Sequence, residues 1–198
     1  MFPDPWLKRW LPLIAEHGQE RPVLELGCGM GDDTSTLVAA GFTVHAIDLS
    51  AAAVAATRRR VPNAHVTCAD VRAPFPLGQY AAGAVVASLS LHYFTWAETV
   101  TLIARIRDTL APNGVFLCRL NSTQDHHFGA IGHPMVEPDY YLVKGQPKRF
   151  FNEAAIDQLF GVGWQLHSKE HLVTRKYIQK KALWEVVLQP SPAPRRPL

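Results

Sequence analysis

A short apolar run, Val23-Leu24-Glu25-Leu26, leads straight into Gly27-Cys28-Gly29-Met30-Gly31, and this junction restricts the folding of the 198-residue chain more than any other stretch. Glycines at a strand end permit a tight turn and let a ligand approach the backbone where the next helix begins. Asp32 or Asp33 is the expected N-cap of that helix, which extends to about residue 40. The same alternation continues. A strand over residues 43–47 ends at Asp48, and an Ala-rich helix then runs from Ser50 to the triplet Arg58, Arg59 and Arg60, expected to be a solvated last turn. A third strand, His65-Val66-Thr67-Cys68, ends at Asp70, and a fourth covers residues 83–88.

Thr95-Trp96-Ala97-Glu98 has the spacing of a capping box. The helix it opens carries Trp96, Val100, Ile103, Ile106 and Leu110 on one face, and Ala111-Pro112-Asn113-Gly114 is expected to end it. Residues 115–118 read as a fifth strand. Upstream, Trp6, Leu7, Trp10, Leu11, Leu13 and Ile14 stand at helical spacing behind Pro5. This pattern predicts an α/β fold, doubly wound, with a mostly parallel sheet covered on both faces. Residues 121–150, rich in His, Asn, Gly, Pro and Tyr, show neither a helical nor a strand period and are expected to form a lid-like insertion after strand five. A helix near 152–160 and strands over roughly 163–169 and 182–189 follow. Residues 1–189 are expected to form a single domain, and residues 190–198, four of them Pro, a disordered tail.

Charge is spread unevenly. Residues 1–120 carry 10 basic and 10 acidic groups, whereas residues 121–198 carry 10 against 7 and so the whole net charge of +3. That bias is too small to name a nucleic-acid partner. Cys28, Cys68 and Cys118 are too far apart for a zinc motif and odd in number, so small buried thiols are expected, with no metal site. The first residues lack the pattern of a signal peptide and no apolar run approaches membrane-spanning length, which suggests a cytoplasmic protein with no membrane partner.

Three carboxylates mark the glycine loop's surroundings. Asp48 stands 21 residues after Gly27, where it can accept hydrogen bonds from both hydroxyls of a ribose. Dehydrogenases share that acid, so it does not separate nucleotides. Glu25 does, because a carboxylate at the lip of the first strand repels a pyrophosphate and attracts an ammonium group. Asp70, ending the third strand, offers an acceptor to an adenine amino group. A cationic adenosine ligand suits three such acids better than NAD does.

These segments resemble the class I S-adenosylmethionine-dependent methyltransferases over about residues 20–120. Val23–Gly31 is similar to the family's glycine motif, Ile47-Asp48-Leu49-Ser50 to its ribose segment, and Cys68-Ala69-Asp70-Val71 to its adenine segment. Ser88-Leu89-Ser90-Leu91-His92-Tyr93 resembles the end of the fourth strand beside the methyl group, and residues 110–114 the turn before strand five. The resemblance implies a Rossmann-like, seven-stranded sheet with an antiparallel last strand. It also implies S-adenosylmethionine as cofactor, S-adenosylhomocysteine as product, and a cofactor set of Glu25, Gly27, Cys28, Gly29, Gly31, Asp48, Leu49, Asp70, Val71 and Ser88.

The acceptor side is less constrained. His92 is the candidate general base, with a half-exposed structural His as the alternative. Tyr93, Asn121, His126, His127, Tyr140, Tyr141 and Arg149 are candidates for acceptor binding, with scattered lid polarity as the alternative. Residues 119–122 and 148–151 are loosely similar to the small tellurite-resistance and thiopurine-type methyltransferases, which implies a small acceptor. An RNA or protein methyltransferase is the second reading, based on Arg175, Lys176, Lys180, Lys181, Arg195 and Arg196. A non-catalytic S-adenosylmethionine-binding protein is the third. The sequence does not specify the acceptor atom or the oligomeric state.

Overall fold

The computed structural model describes residues 5–18, 20–174 and 179–191. Five parallel strands, β1 (Val23–Leu26), β2 (Val44–Asp48), β3 (His65–Cys68), β4 (Ala82–Ser88) and β5 (Leu110–Asn121), lie in the order β3-β2-β1-β4-β5. Two longer strands, β9 (Trp164–Thr174) and β10 (Lys181–Pro190), extend this sheet to seven. β10, the last in sequence, inserts between β5 and β9 and runs antiparallel to both. The expected Rossmann-like topology is therefore present. Its order reverses between β1 and β4, and such a switch point opens a crevice at the strands' carboxyl ends.

Helices cover the two faces. Along β4, Ala84 and Val86 project to one side and Val85 and Ala87 to the other, and all four are buried. The first side packs with Val23, Leu117 and Val187 against Trp6, Leu7 and Ile14 of the N-terminal segment. That segment is a 3-10 turn over Trp6–Trp10 followed by α1 (Leu11–Gly18), and α2 (Asp32–Ala39) and α3 (Ala51–Arg60) complete the layer. The second side packs Leu24, Phe116 and Cys118 against α4 (Trp96–Thr109) and α5 (Glu153–Phe160). The capping box of α4 forms as expected, with Thr95 accepting from the Glu98 N–H and Glu98 accepting from the Thr95 N–H.

Several boundaries differ from expectation. Gly31, at φ 81°, occupies the N-cap of α2, and Asp32 and Asp33 stand in its first turn instead. Asp33 accepts from the Trp6 indole at 3.0 Å, which ties α2 to the N-terminal segment. The Arg58–Arg60 triplet is not simply solvated: Arg58 donates to the Val66 carbonyl, and Arg60 pairs with Asp32. α4 ends at Thr109, before Pro112 and Gly114, and β5 starts at once by pairing Leu110 with Ala82. The ladder then shifts register before Ala84 meets Val115, so the Pro lies in an irregularity where its missing N–H costs little. Cys28 and Cys118 are buried as expected, but Cys68 is exposed because β3 is an edge strand.

Residues 121–150 are not the irregular segment expected. After a 3-10 turn over His126–Phe128 they form a separate three-stranded meander, β6 (Met135–Glu137), β7 (Tyr140–Val143) and β8 (Gln146–Arg149). Its strands are short, and β6 and β8 are mostly exposed and of mixed polarity, so they show neither an apolar run nor an alternation. The β7–β8 hairpin turns on Lys144 and Gly145, both at positive φ (51° and 80°), as a two-residue loop requires. No helix among the described residues is long and apolar enough to cross a membrane.

Candidate active site

The glycine loop closes against the neighbouring strand. Gly27 and Cys28 donate to the Ile47 carbonyl at 2.8 and 3.1 Å, and Gly27 has φ 80°. A Cβ on Gly27 would stand 2.4 Å from the Ser90 Cβ, so only glycine fits between β1 and the segment after β4. Asp48, at the end of β2, spans the loop: one oxygen accepts from the Gly29 N–H and the other from the Ser50 N–H, both at 2.8 Å. Each oxygen keeps acceptor capacity for a further donor.

Glu25 is buried at 3% exposure and accepts from the Thr34 hydroxyl at 2.6 Å. Burial, with the nearby Asp33 charge adding to it, pushes its carboxyl up to about 8. Asp70 behaves in the opposite way. The Arg72 side chain and N–H donate to it, and these bonds hold its carboxyl below the usual range. Arg72 also pairs with Glu98 and lies over the Phe94 ring.

These groups surround one cavity of about 960 Å³. Glu25, Gly27, Cys28, Gly29, Asp48, Leu49, Asp70, Val71 and Ser88, from the ends of β1 to β4, all line it. Gly31 does not; it is pressed against Thr57, where a Cβ would meet Cγ2 at 2.9 Å. Tyr93 and Tyr140 line the cavity on the acceptor side, and Gln146 and Pro147 extend the meander over it. The Tyr140 hydroxyl donates to the Tyr93 carbonyl at 2.9 Å, which joins the meander to the segment after β4.

The other sequence candidates lie elsewhere. His92 is buried at 5% exposure behind Tyr93, is not among the cavity-lining residues, and its Nδ1 has no hydrogen-bond partner among the described residues. Burial, reinforced by the charges of Lys181 and Lys148, holds its pKa well below the ordinary value. Asn121 is buried in β5, away from the cavity. His126 and His127 face solvent, and Tyr141 packs on Phe150. Arg149 is a strut: it donates to the Phe94 and Pro138 carbonyls, pairs with Glu137, and lies 4.7 Å over the Tyr140 ring. Sequence reasoning missed Ser90, Arg72, Glu98 and Arg119 as lining residues. Ser90 lay within the quoted fourth-strand motif, whereas the position of Arg119 depends on long-range strand pairing.

Fold and cavity together resemble those of the class I, Rossmann-like S-adenosylmethionine-dependent methyltransferases. Residues 23–114 match the family described as "Methyltransferase domain". Over 105 residues (52% of this chain and 38% of the relative) the sequence is 38% identical to a trans-aconitate 2-methyltransferase of Delftia acidovorans. The chain spans less than half the length of the curated relatives it matches. Among solved structures, a SAM-dependent methyltransferase of Methanosarcina mazei superposes with TM-score 0.75 at 16% identity, covering 90% of this chain and 97% of the other. A 1,6-didemethyltoxoflavin-N1-methyltransferase of Burkholderia thailandensis, bound to its substrate and S-adenosylhomocysteine, gives TM-score 0.69 at 19% identity over 96% and 82% of the two chains. The structural likeness is one of fold.

The residues present fit the cofactor of that class. Gly27 and Gly29 line the cavity with no side chain to intrude on it, and Ser90 Oγ lies buried at the wall with no partner among the described residues. The acids from three successive strand ends match a ligand carrying an ammonium group, a ribose and an adenine.

Proposed function

We propose that this chain transfers the methyl group of S-adenosylmethionine to a small-molecule acceptor. One observation carries the reading: a single cavity runs from the carboxylates at the ends of β1, β2 and β3 to Tyr93, Tyr140 and the meander. Its volume of about 960 Å³ lies at the upper end of the usual range for small-molecule sites, enough for a nucleoside ligand and a small second molecule. When bound, S-adenosylmethionine supplies a methyl group activated by its sulfonium.

The chain's own residues bind and orient. Asp48 accepts from the ribose hydroxyls while its backbone bonds hold it still. Glu25, once deprotonated, takes the ammonium group. Asp70 with the Val71 N–H addresses the adenine, which requires Arg72 to share the Asp70 oxygens. Ser88, Tyr93 and Tyr140 border the acceptor. Residues 1–189 form one methyltransferase domain in this reading, with 121–150 as its acceptor-side cover. No base is assigned, because His92 lies behind the wall; positioning and exclusion of water by the meander supply the rate. The thiols, none in a disulfide among the described residues, suit the reducing cytoplasm.

The relatives named for trans-aconitate and 1,6-didemethyltoxoflavin methylation support a small acceptor. The basic footprint behind the macromolecular reading is weaker: Lys181 is buried against Asp125, and Arg175, Lys176, Arg195 and Arg196 lie outside the described residues. Incubation with methyl-labelled S-adenosylmethionine and a panel of small acids and heterocycles tests the proposal. S-adenosylhomocysteine should form only when an acceptor is present. Transfer to RNA or protein, with none to any small molecule, would contradict it.

A further inference from the structure

Asp48 and Asp70 line the same cavity at the ends of neighbouring strands, yet their oxygens are differently engaged. Each Asp48 oxygen takes one backbone N–H. Each Asp70 oxygen takes two donors, all from Arg72. Oδ1 accepts from the Arg72 backbone N–H at 2.8 Å and from its Nε at 3.1 Å. Oδ2 accepts from Nε at 3.1 Å and from a terminal guanidinium nitrogen at 2.6 Å. A carboxylate oxygen has two lone-pair directions, so one residue fills the acceptor capacity of Asp70.

An adenine amino group can therefore bond Asp70 only if the guanidinium gives up a place on it. The cavity offers the guanidinium a second seat. Its other terminal nitrogen already donates to Glu98 Oε1 at 3.2 Å, and it lies 5.7 Å from the Phe94 ring. The backbone beneath is fixed separately, because Arg105 donates to the Val71 and Arg72 carbonyls and lies 4.2 Å over the Phe75 ring. Only the Arg72 side chain has to move. The pair it leaves is weakly held: the two side chains are 55% and 29% exposed, where solvent and salt screen the attraction.

We propose that Arg72 competes with the adenine amino group for Asp70 and so sets how tightly and how selectively the cavity holds its adenosine ligand. This rests on the methyltransferase reading above, with Asp70 as the adenine acceptor, and names the residue that limits binding there. On binding, the guanidinium hydrogen bond to Oδ2 breaks, the amino group donates to that oxygen, and the guanidinium stays with Glu98. A charged donor is exchanged for a neutral one, and the charged bond is the stronger, so the competition lowers affinity. A ligand without the amino group has nothing to donate and leaves Arg72 in place.

The whole chain and its Arg72→Ala variant are titrated with S-adenosylhomocysteine and with its 6-deamino analogue, in which hydrogen replaces the adenine amino group. Arg72→Ala should bind S-adenosylhomocysteine about two- to fivefold more tightly than wild type and the analogue with unchanged affinity. A second measurement needs no variant. The two ligands share every other contact, so their affinity ratio in the wild type should rise between about 0.05 and 0.5 M salt as the ion pair is screened, and stay flat in Arg72→Ala. If Arg72→Ala prefers S-adenosylhomocysteine to the analogue but binds it no more tightly than wild type does, and the wild-type ratio ignores salt, the competition is overturned. Equal tightening of both ligands overturns it as well, since Arg72 then only fills space. An Arg72→Ala chain that does not distinguish the two ligands removes Asp70 as the adenine acceptor. A wild-type chain that binds neither overturns the methyltransferase reading instead.

Discussion

Glu25 faces opposite demands in the empty and the loaded cavity. Burial keeps its proton on to about pH 8 in the folded chain, against 4.5 ordinarily. The folded state therefore holds more protons than the unfolded state between those values, and this residue makes stability fall as pH rises through that window. In the function proposed above, the ammonium of the cofactor demands the deprotonated form, so binding should expel the proton below pH 8. S-adenosylhomocysteine affinity should then improve by up to about tenfold per pH unit between roughly pH 6 and 8. Glu25→Gln should melt higher than wild type at pH 8, bind more weakly, and lose the pH slope; calorimetry at several pH values checks all three. Asp48→Ala should weaken S-adenosylhomocysteine by about ten- to a hundredfold, since charge-assisted hydrogen bonds are lost. Both acids were readable from the sequence because they sit within a few residues of the glycine loop or end a short strand. Arg119 was not, because its place beside Ser88 and Glu185 exists only once β4, β5 and β10 pair. His92 followed the right motif but turned inward, a direction that one-dimensional spacing does not encode.

The meander β6–β8 is held to the Rossmann-like layer chiefly through Arg149. Its guanidinium bonds the Phe94 carbonyl, pairs with Glu137, and packs between Trp96 and Tyr140, while Glu137 also accepts from the Trp96 N–H at 3.1 Å. Arg149→Ala should cost about 3 kcal/mol, toward the lower limit for a buried pair because Glu137 is 34% exposed. Hydrogen exchange should accelerate over residues 135–149 and remain slow in β4 and β5. Equal acceleration throughout would show that the meander is not a separable cover. The parallel strands and their helices were legible because each is long or apolar enough to show its period. The meander was not, because its strands, largely exposed in β6 and β8, mix polar and apolar residues with no apolar run or alternation to mark them. β5 was misplaced at its start for a related reason: Pro112-Asn113-Gly114 reads as a turn, yet the strand passes it through a register shift.

The net charge of +3 conceals a division of labour across the molecule. The neutral first 120 residues concentrate their acids around one end of the cavity, and the remainder supplies the meander, β10 and Glu185. A mostly parallel, doubly wound sheet was readable from strand–helix order, and its seven strands with an antiparallel last one from the family resemblance, while the joining of both parts around one cavity required the three-dimensional structure. In the proposed function this cavity selects an adenosine ligand carrying an ammonium group over a dinucleotide. Isothermal titration of the whole chain with S-adenosylhomocysteine and with NAD tests it most directly. One-to-one binding of S-adenosylhomocysteine, weakened in Asp48→Ala, and no measurable binding of NAD are expected. Tight NAD binding with no heat from S-adenosylhomocysteine would contradict it.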